Sequence, residues 1–296
     1  MCFKELCELL LDRIVLRIAQ MHTVIEADEI DVVTLFKSLD KRFEYGHRIQ
    51  IGDEVIIMPL YNGEAYVAEA ITSVLSQTYP HWELLIVDDG STDDSYGIAQ
   101  RYAKEDARIK LFKMPRNSGA AEARNLATQK ATGEYIAFLD SDDIWLAEKL
   151  QAQIDLMEKE QVRLCYASYD AIDQEGKKVG FYKAKPLTTY KEMLRTSTIG
   201  TLTMVYHAKT LGKYYFPTVG HEDYIVKLKI LKKIPYAKGV ERSLAQYRIS
   251  AQSLSGNKFK AALWQWHIYR EVEHLSLPKS LFYFVQYVYF GVRKYK

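Results

Sequence analysis

Short and long hydrophobic segments alternate along residues 53–145, and this alternation is the feature that most restricts the fold. Four short apolar runs have the length of buried strands, at residues 55–58, 84–87, 109–112 and 135–139. Segments with apolar residues at helical spacing separate them, at 67–75, from about 94 to 103, and at 120–131. The alternation predicts a parallel sheet with helices on both faces, whose ligand site lies at the carboxyl ends of the strands.

The composition is that of a globular protein and argues against several classes of protein. Of 296 residues, 48% are hydrophobic and 26% are charged, and the net charge of +2 is too small to indicate a nucleic-acid partner. The three cysteines have neither disulfide nor metal-ligand spacing, which favours a reducing, cytoplasmic setting. We find no signal-peptide pattern and no run of about 20 apolar residues that would cross a membrane.

The regions on either side of the alternation predict three parts. Residues 1–50 are charged, with apolar residues on one helical face, and predict a helical extension of unknown role. Residues 51–255 form the α/β domain, which divides into a half at about 51–145 and a half at about 146–255. In the second half we expect a strand at 164–167, a turn at 173–176 and a helix at 222–232.

The third part, residues 256–296, is an aromatic and basic tail that is expected to be helical. Residues 281–292 are nearly all apolar or aromatic, and Arg293, Lys294 and Lys296 follow. One interpretation is a peripheral helix that contacts a membrane surface through residues 279–296, on the inner face of the cytoplasmic membrane. The alternatives are a terminal helix packed on the domain and a contact in an oligomer.

Acidic clusters follow two of the predicted strands. Asp88 and Asp89 come after the second strand, and Asp140, Asp142 and Asp143 come after the fourth. Carboxylates so close in sequence repel one another unless a cation offsets them, and their hard oxygens suit Mg²⁺ or Mn²⁺, which often also hold substrate phosphates. The ordinary alternative is a solvated loop that caps a helix. Spacing alone does not separate the two.

The order of the motifs resembles family 2 of the glycosyltransferases. The matching segments are PLYN at 59–62, ITSVLSQTY at 71–79, ELLIVDDGSTD at 83–93, NSG at 117–119, ARN at 123–125 and GEYIAFLDSDD at 133–143. The resemblance runs from about residue 55 to 145, continues more weakly to about 255, and does not cover residues 1–50. It implies the fold called GT-A, with a Rossmann-like, mostly parallel central sheet flanked by helices.

The resemblance also implies a nucleotide-binding half at about 51–145, which carries a nucleotide-sugar site, and an acceptor half at about 146–255. Pro59 and Tyr61 would border the nucleotide, Asp89 would face the base of a UDP-type donor, and Arg124 would lie near the diphosphate. Glu64 is a further candidate on the nucleotide side, although a first-turn helix acid is its ordinary role.

The remaining implied positions concern the metal and the chemistry. Asp140 would lie by the ribose and the metal, Asp142 would ligate the metal (Mn²⁺ or Mg²⁺), and Asp143 would orient the loop or the sugar. The acidic pair at 222–223 opens a helix, and the resemblance assigns the catalytic base to Asp223. Arg248 would close over the donor phosphates. Since helix N-termini attract acidic residues in any case, the role of Asp223 depends on the resemblance.

These assignments predict an inverting, metal-dependent glycosyltransferase. It would move a sugar from a nucleotide donor to a hydroxyl of a glycan or lipid-linked acceptor, in capsule, O-antigen or exopolysaccharide synthesis. A sugar-phosphate nucleotidyltransferase is the alternative enzyme, but the sequence after the first strand, YNGE at 61–64, is not the expected glycine-rich basic loop. A nicotinamide oxidoreductase would need a GxGxxG segment that is absent. A non-catalytic nucleotide-sugar binding or assembly protein is the third alternative.

Overall fold

The computed structural model describes residues 53–249 and 258–293. The predicted extension at 1–50 lies outside the described residues.

The first half alternates strands and helices in the predicted order. Its elements are β1 (Glu54–Leu60), α1 (Val67–Leu75), β2 (Trp82–Asp88), α2 (Ser95–Glu105), β3 (Ile109–Lys113), α3 (Ala120–Lys130) and β4 (Tyr135–Phe138). β1 pairs in parallel with β2 and β4, and β2 pairs in parallel with β3. The carboxyl ends of the four strands therefore meet at one edge, as the alternation predicts.

The second half is mixed. Its elements are β5 (Ile144–Trp145), α4 (Lys149–Glu160), β6 (Leu164–Ile172), β7 (Lys178–Tyr182), β8 (Leu187–Thr188), α5 (Tyr190–Arg195), a 3₁₀ turn (Thr201–Thr203), β9 (Val205–His207), α6 (Ala208–Leu211), α7 (Glu222–Leu231) and β10 (Ala237–Arg248). The strand order is β3-β2-β1-β4-β9-β6-β10-β5. Because β9 runs antiparallel to both β4 and β6, the parallel part of the sheet is interrupted beyond β4.

Both faces of the central strands are buried, which explains why these strands are continuous hydrophobic runs rather than alternating ones. In β1, Val55 and Ile57 enter a core that they share with α3 and α7. Ile56 and Met58 enter a second core, which α1 and α4 cover. The sheet therefore lies between two helical layers, and its loops are free to build a site at the strand ends.

The tail is helical, as expected, and one side of it packs on the domain. α8 (Lys258–His267) continues through a π-helical turn (Ile268–Val272), and α9 (Leu277–Arg293) follows. Tyr283 and Phe284 of α9 pack against the core that contains Val55 and Ile57. No helix within 53–249 or 258–293 is both long and apolar enough to cross a membrane.

Candidate active site

The loop after β1 is fixed to the loop after β2 by hydrogen bonds. The side-chain oxygen of Asn62 accepts the N–H of Thr92 (2.8 Å), and the Glu64 carboxylate accepts the N–H of Asp94 (3.0 Å). Glu64 thus precedes α1 and contributes to the start of α2, instead of standing in the first turn of its own helix. Its contact with a nucleotide stays a prediction.

The two other residues predicted to border the nucleotide lie on the same edge. Pro59 is buried near the end of β1, and Tyr61, two residues later, is 48% exposed. The carbonyl of Leu60 between them accepts the N–H of Asp89 (2.8 Å), so this segment lies directly against the loop after β2. The exposed ring of Tyr61 is available to a ligand, while Pro59 could contribute only through its backbone.

The buried Asp89 carboxylate holds the loop that leads into α3. It accepts the N–H groups of Ser118 (2.8 Å) and Gly119 (2.7 Å). Gly90 follows with a φ of +76°, and a Cβ at this position would lie 2.9 Å from the backbone nitrogen of Asn117. Glycine is therefore required both by the left-handed backbone and by the close approach of the two loops. The predicted contact of Asp89 with a base stays a prediction.

Residues 140–143 after β4 form the acidic loop, and Arg124 connects this loop with the start of α7. Its side chain is only 9% exposed; one guanidinium nitrogen is 2.6 Å from Asp140, and another is 3.6 Å from Glu222. The Nε atom is buried without a hydrogen-bond partner among the described residues. The sequence predicted that Arg124 and Asp140 belong to one site, and the structure brings them into contact.

The acidic loop holds carboxylates whose charge is not fully offset. Burial and the neighbouring charge of Asp140 raise the pKa of Asp142 to about 6. Burial, together with Asp142 and Asp140, raises the pKa of Asp143 well above its ordinary value, although Asp143 accepts the backbone N–H of Arg248 (2.9 Å). A divalent cation would relieve this repulsion, so Asp140 and Asp142 are chemically suited to hold one.

The acidic loop is not a complete metal cage. Across the described parts of the chain, no three aspartate, glutamate, histidine or cysteine side chains come together as a metal-binding group. A metal at Asp140 and Asp142 would need further ligands, such as phosphate oxygens or water.

The Arg248 guanidinium is bonded to protein groups on every side. It donates to the carbonyl oxygens of Asp142 (2.9 Å), Asp173 (3.1 Å) and Gln174 (3.0 Å), and it lies 2.6 Å from the Glu69 carboxylate. Its side chain is 3% exposed. These contacts indicate that Arg248 fixes the acidic loop, while its predicted contact with donor phosphates stays a prediction.

Asp223 lies in the first turn of α7 and is held by two donors. The hydroxyl of Thr201 (2.8 Å) and the ammonium of Lys227 (2.6 Å) both donate to Oδ2. Burial alone would raise the pKa of Asp223, but Lys227, Thr201 and Arg124 together lower it far below its ordinary value. Asp223 is therefore ionised at neutral pH, and Oδ1 is the oxygen without these two contacts.

The sequence interpretation missed Lys227 and Thr201. Lys227 had a signal, since a lysine four residues after an aspartate on a helix can pair with it. Thr201 had none, because it comes from the 3₁₀ turn 22 residues earlier. A hydrogen bond from the Trp145 indole N–H to the Leu202 carbonyl (2.8 Å) fixes that turn.

A cavity of about 580 Å³ connects the acidic loop with Asp223. Its lining includes Arg124, Asp140 and Asp143, and also Asp223, Lys227 and the segment at 196–202. Further lining residues are Tyr169, Tyr182, Tyr247, Lys183, Lys185 and Phe290. The cavity is large enough for sugar rings, and both acidic and basic side chains line it.

Comparison with known proteins identifies the family of the chain. The profile of glycosyl transferase family 2 matches residues 55–218. WfgD of Escherichia coli, named a UDP-Glc:alpha-D-GlcNAc-diphosphoundecaprenol beta-1,3-glucosyltransferase, is 39% identical over 241 residues, which are 81% of this chain and 94% of WfgD. TuaG of Bacillus subtilis (strain 168), a glycosyltransferase named for teichuronic acid biosynthesis, is 40% identical over 241 residues, which are 81% of this chain and 96% of TuaG.

The fold agrees as well. The crystal structure of S. aureus TarS 1–349 in complex with UDP superimposes with a TM-score of 0.59 at 22% identity, covering 74% of this chain and 66% of that one. The protein belongs to glycosyl transferase family 2 and is a glycosyltransferase with the GT-A fold. The family match favours the predicted glycosyltransferase over the nucleotidyltransferase alternative.

Proposed function

We propose that this protein transfers a sugar from a UDP-sugar, with inversion, to a hydroxyl of a sugar carried on a lipid diphosphate, in the synthesis of a bacterial surface polysaccharide. The single observation that carries the proposal is the cavity that is lined both by Asp223 and by the Arg124–Asp140 pair. The name of WfgD, which specifies UDP-Glc and a diphosphoundecaprenol-linked acceptor, supports the choice of both substrates.

Asp223 has the properties of a general base. It is ionised, and Thr201 and Lys227 fix one of its oxygens, so that Oδ1 can take the proton of the acceptor hydroxyl. As the hydroxyl oxygen bonds to the anomeric carbon, the bond from that carbon to the diphosphate breaks through an oxocarbenium-like transition state. One displacement inverts the anomeric centre. The β linkage named for WfgD is the product expected when an α-linked donor sugar is inverted.

The leaving diphosphate gains negative charge, and Arg124 is placed to offset it. The guanidinium is buried, so its charge acts in a medium where water screens it little. Asp140 and Asp142 would hold a Mn²⁺ or Mg²⁺ ion there, and such an ion supplies further positive charge to the departing phosphates. Burial and the repulsion by Asp140 together raise the pKa of Asp142, and the repulsion, which a cation would relieve, supports this assignment.

We further propose that α9 rests on the inner face of the membrane that carries the acceptor. Its outward side chains are apolar: Leu281, Phe282, Val285, Val288, Tyr289 and Phe290 are between 39% and 66% exposed. A helix that faces water normally presents polar residues there, so an apolar outer face indicates an interface. Since Phe290 also lines the cavity, the same face would lead from the lipid surface to the acceptor site.

The direct test is transfer with a defined acceptor. The purified full-length chain is incubated with UDP-, GDP- and dTDP-sugars and with N-acetylglucosamine linked through a diphosphate to an undecyl chain. We expect a UDP-sugar to be used in the presence of Mn²⁺, with the configuration of the new linkage opposite to that of the donor by NMR. A product that retains the donor configuration would exclude the single displacement, and use of a GDP- or dTDP-sugar alone would exclude the donor assignment.

A further inference from the structure

Four cationic side chains of the described residues line the cavity, and two of them already form ion pairs with proposed site residues. Arg124 pairs with Asp140, and the ammonium of Lys227, whose side chain is 2% exposed, pairs with Asp223. Lys183 and Lys185 also line the cavity, beyond the strand β7. The proposed transfer reaction as described above assigns no role to these two lysines.

In the described part of the chain, Lys183 and Lys185 each form an ion pair that water can reach. Lys183 lies 3.0 Å from Glu241 and is 66% exposed, and Lys185 lies 3.8 Å from Glu192 and is 52% exposed. Such pairs are weak because water and salt screen them. Ala184 between them is buried, and its N–H donates to the Ser168 hydroxyl (2.9 Å), so the backbone that carries both lysines is fixed. An incoming dianion can therefore replace the glutamates without moving the chain.

The cavity that the two lysines line is also lined by aromatic side chains, one of which comes from α9. Lys185 pairs with Glu192 of α5, and α9, which brings Phe290 to the cavity, packs on α5. Tyr182, directly before Lys183, stacks on Tyr169 with a ring distance of 4.7 Å. Flat aromatic walls suit sugar rings, and lysine ammonium groups suit phosphate oxygens.

We propose that Lys183 and Lys185 form the subsite that binds the diphosphate of a lipid-linked acceptor, between the aromatic wall that holds its sugar and the apolar helix that meets its lipid. This inference rests on the proposed function, whose acceptor class it makes specific by assigning the diphosphate to two residues. It assigns the acceptor diphosphate to Lys183 and Lys185 and the donor diphosphate to Arg124, so that different cationic side chains of the cavity bind the two anionic groups.

The test compares two acceptors in the variant Lys183→Gln/Lys185→Gln. One acceptor is the sugar-diphosphate-undecyl compound, and the other is the same sugar as a neutral undecyl glycoside. We expect KM for the diphosphate acceptor to rise about tenfold or more, since charge-assisted contacts are lost, while KM for the neutral acceptor and for the UDP-sugar stays the same. The matched control Lys177→Gln/Lys191→Gln removes the same charge from exposed lysines outside the cavity wall and should leave all three KM values unchanged.

A binding measurement decides the matter without turnover. Undecyl diphosphate is titrated by calorimetry into protein saturated with UDP and Mn²⁺, so that the donor site is filled. Wild type and the control should bind it, and the cavity variant should not. If the cavity variant binds undecyl diphosphate like wild type, or if both acceptors lose affinity equally, the subsite assignment is wrong.

Two further outcomes distinguish this inference from a lipid head-group site and from the proposed function. If the variant loses only its flotation with anionic vesicles and keeps its affinity for undecyl diphosphate, the lysines bind lipid head groups and the inference is overturned. If wild type binds undecyl diphosphate through these lysines but transfers no sugar from any donor, the subsite stands and the proposed function fails.

Discussion

Lys227 donates a 2.6 Å hydrogen bond to Asp223, the residue one helical turn before it, from a side chain that is 2% exposed. A buried ammonium at this distance from a carboxylate favours the ionised form of the carboxylate. The pairing sets two properties of the proposed base: its charge at neutral pH and the oxygen that it presents to the cavity. The first prediction concerns that charge.

Replacing Lys227 with methionine should raise the pKa of Asp223. Lys227 lowers that pKa and burial raises it, so removal of the ammonium leaves burial as the main influence, with Arg124 and Thr201 still opposing it. The carboxylate would then be protonated at higher pH, and the acidic limb of kcat/KM should move upward by about 1–3 pH units. The measurement is the pH profile of kcat/KM. Lys229→Met, on the exposed side of the same helix, is the control. Identical pH profiles for both variants and wild type would contradict the role of Lys227.

Asp142→Asn should abolish the metal dependence of donor binding. The substitution removes one of the two carboxylates proposed to hold the ion, and a neutral amide is a weaker ligand for a hard cation. Calorimetry with UDP, with and without Mn²⁺, should show a metal-dependent gain in affinity for wild type and for the exposed variant Asp155→Asn. It should show none for Asp142→Asn. A full metal effect in Asp142→Asn would remove Asp142 from the metal site.

Arg248→Lys should loosen the acidic loop while keeping the positive charge. The shorter cation cannot reach the carbonyl oxygens of Asp142, Asp173 and Gln174 together, and leaving these acceptors unpaired costs about 1–3 kcal/mol of stability. We expect the free energy of unfolding and the affinity for UDP with Mn²⁺ to fall together. If UDP affinity falls while unfolding in urea is unchanged, Arg248 contacts the phosphates instead of positioning the loop.

Phe282→Ser/Val285→Ser should weaken binding to vesicles. Both side chains are on the exposed face of α9. Each substitution removes apolar area that would otherwise enter the lipid, so we expect the partitioning of the protein onto vesicles to fall about tenfold or more. The matched control, Val179→Ser/Phe181→Ser on β7, removes a comparably exposed valine and phenylalanine. Flotation with vesicles of the same composition compares the two. Equal flotation of both variants and wild type would favour packing in an oligomer, which sedimentation would then reveal.

The sequence predicted the fold well in its first half and less well in its second. The runs at 55–58 and 84–87 are buried on both faces in the structure, and such runs mark parallel strands without knowledge of distant contacts. The antiparallel insertion of β9 was not predictable, because a three-residue strand has too few positions for a periodic pattern.

The candidate site likewise contains residues that the sequence predicts and contacts that it does not predict. The sequence predicts Asp89, Arg124 and Asp140 as site residues because they lie in local motifs. Other contacts at the site, such as Arg248 with Asp142 and Thr201 with Asp223, join residues that are 106 and 22 positions apart. Side chains that meet only through the tertiary fold leave no periodicity in the sequence. The bonds of Arg248 within the protein could therefore not be predicted, and its contact with donor phosphates stays a prediction.

The most direct test of the central claim, that Asp223 is the base opposite the donor site, is single-turnover transfer by Asp223→Asn. The amide keeps the size of the side chain but cannot take a proton, so the transfer rate should fall about 100- to 10,000-fold. Calorimetric affinity for UDP with Mn²⁺ should remain that of wild type, because the Asp223 carboxylate bonds to Thr201 and Lys227, outside the proposed metal ligands Asp140 and Asp142. Transfer by Asp223→Asn within a few-fold of the wild-type rate would contradict the account.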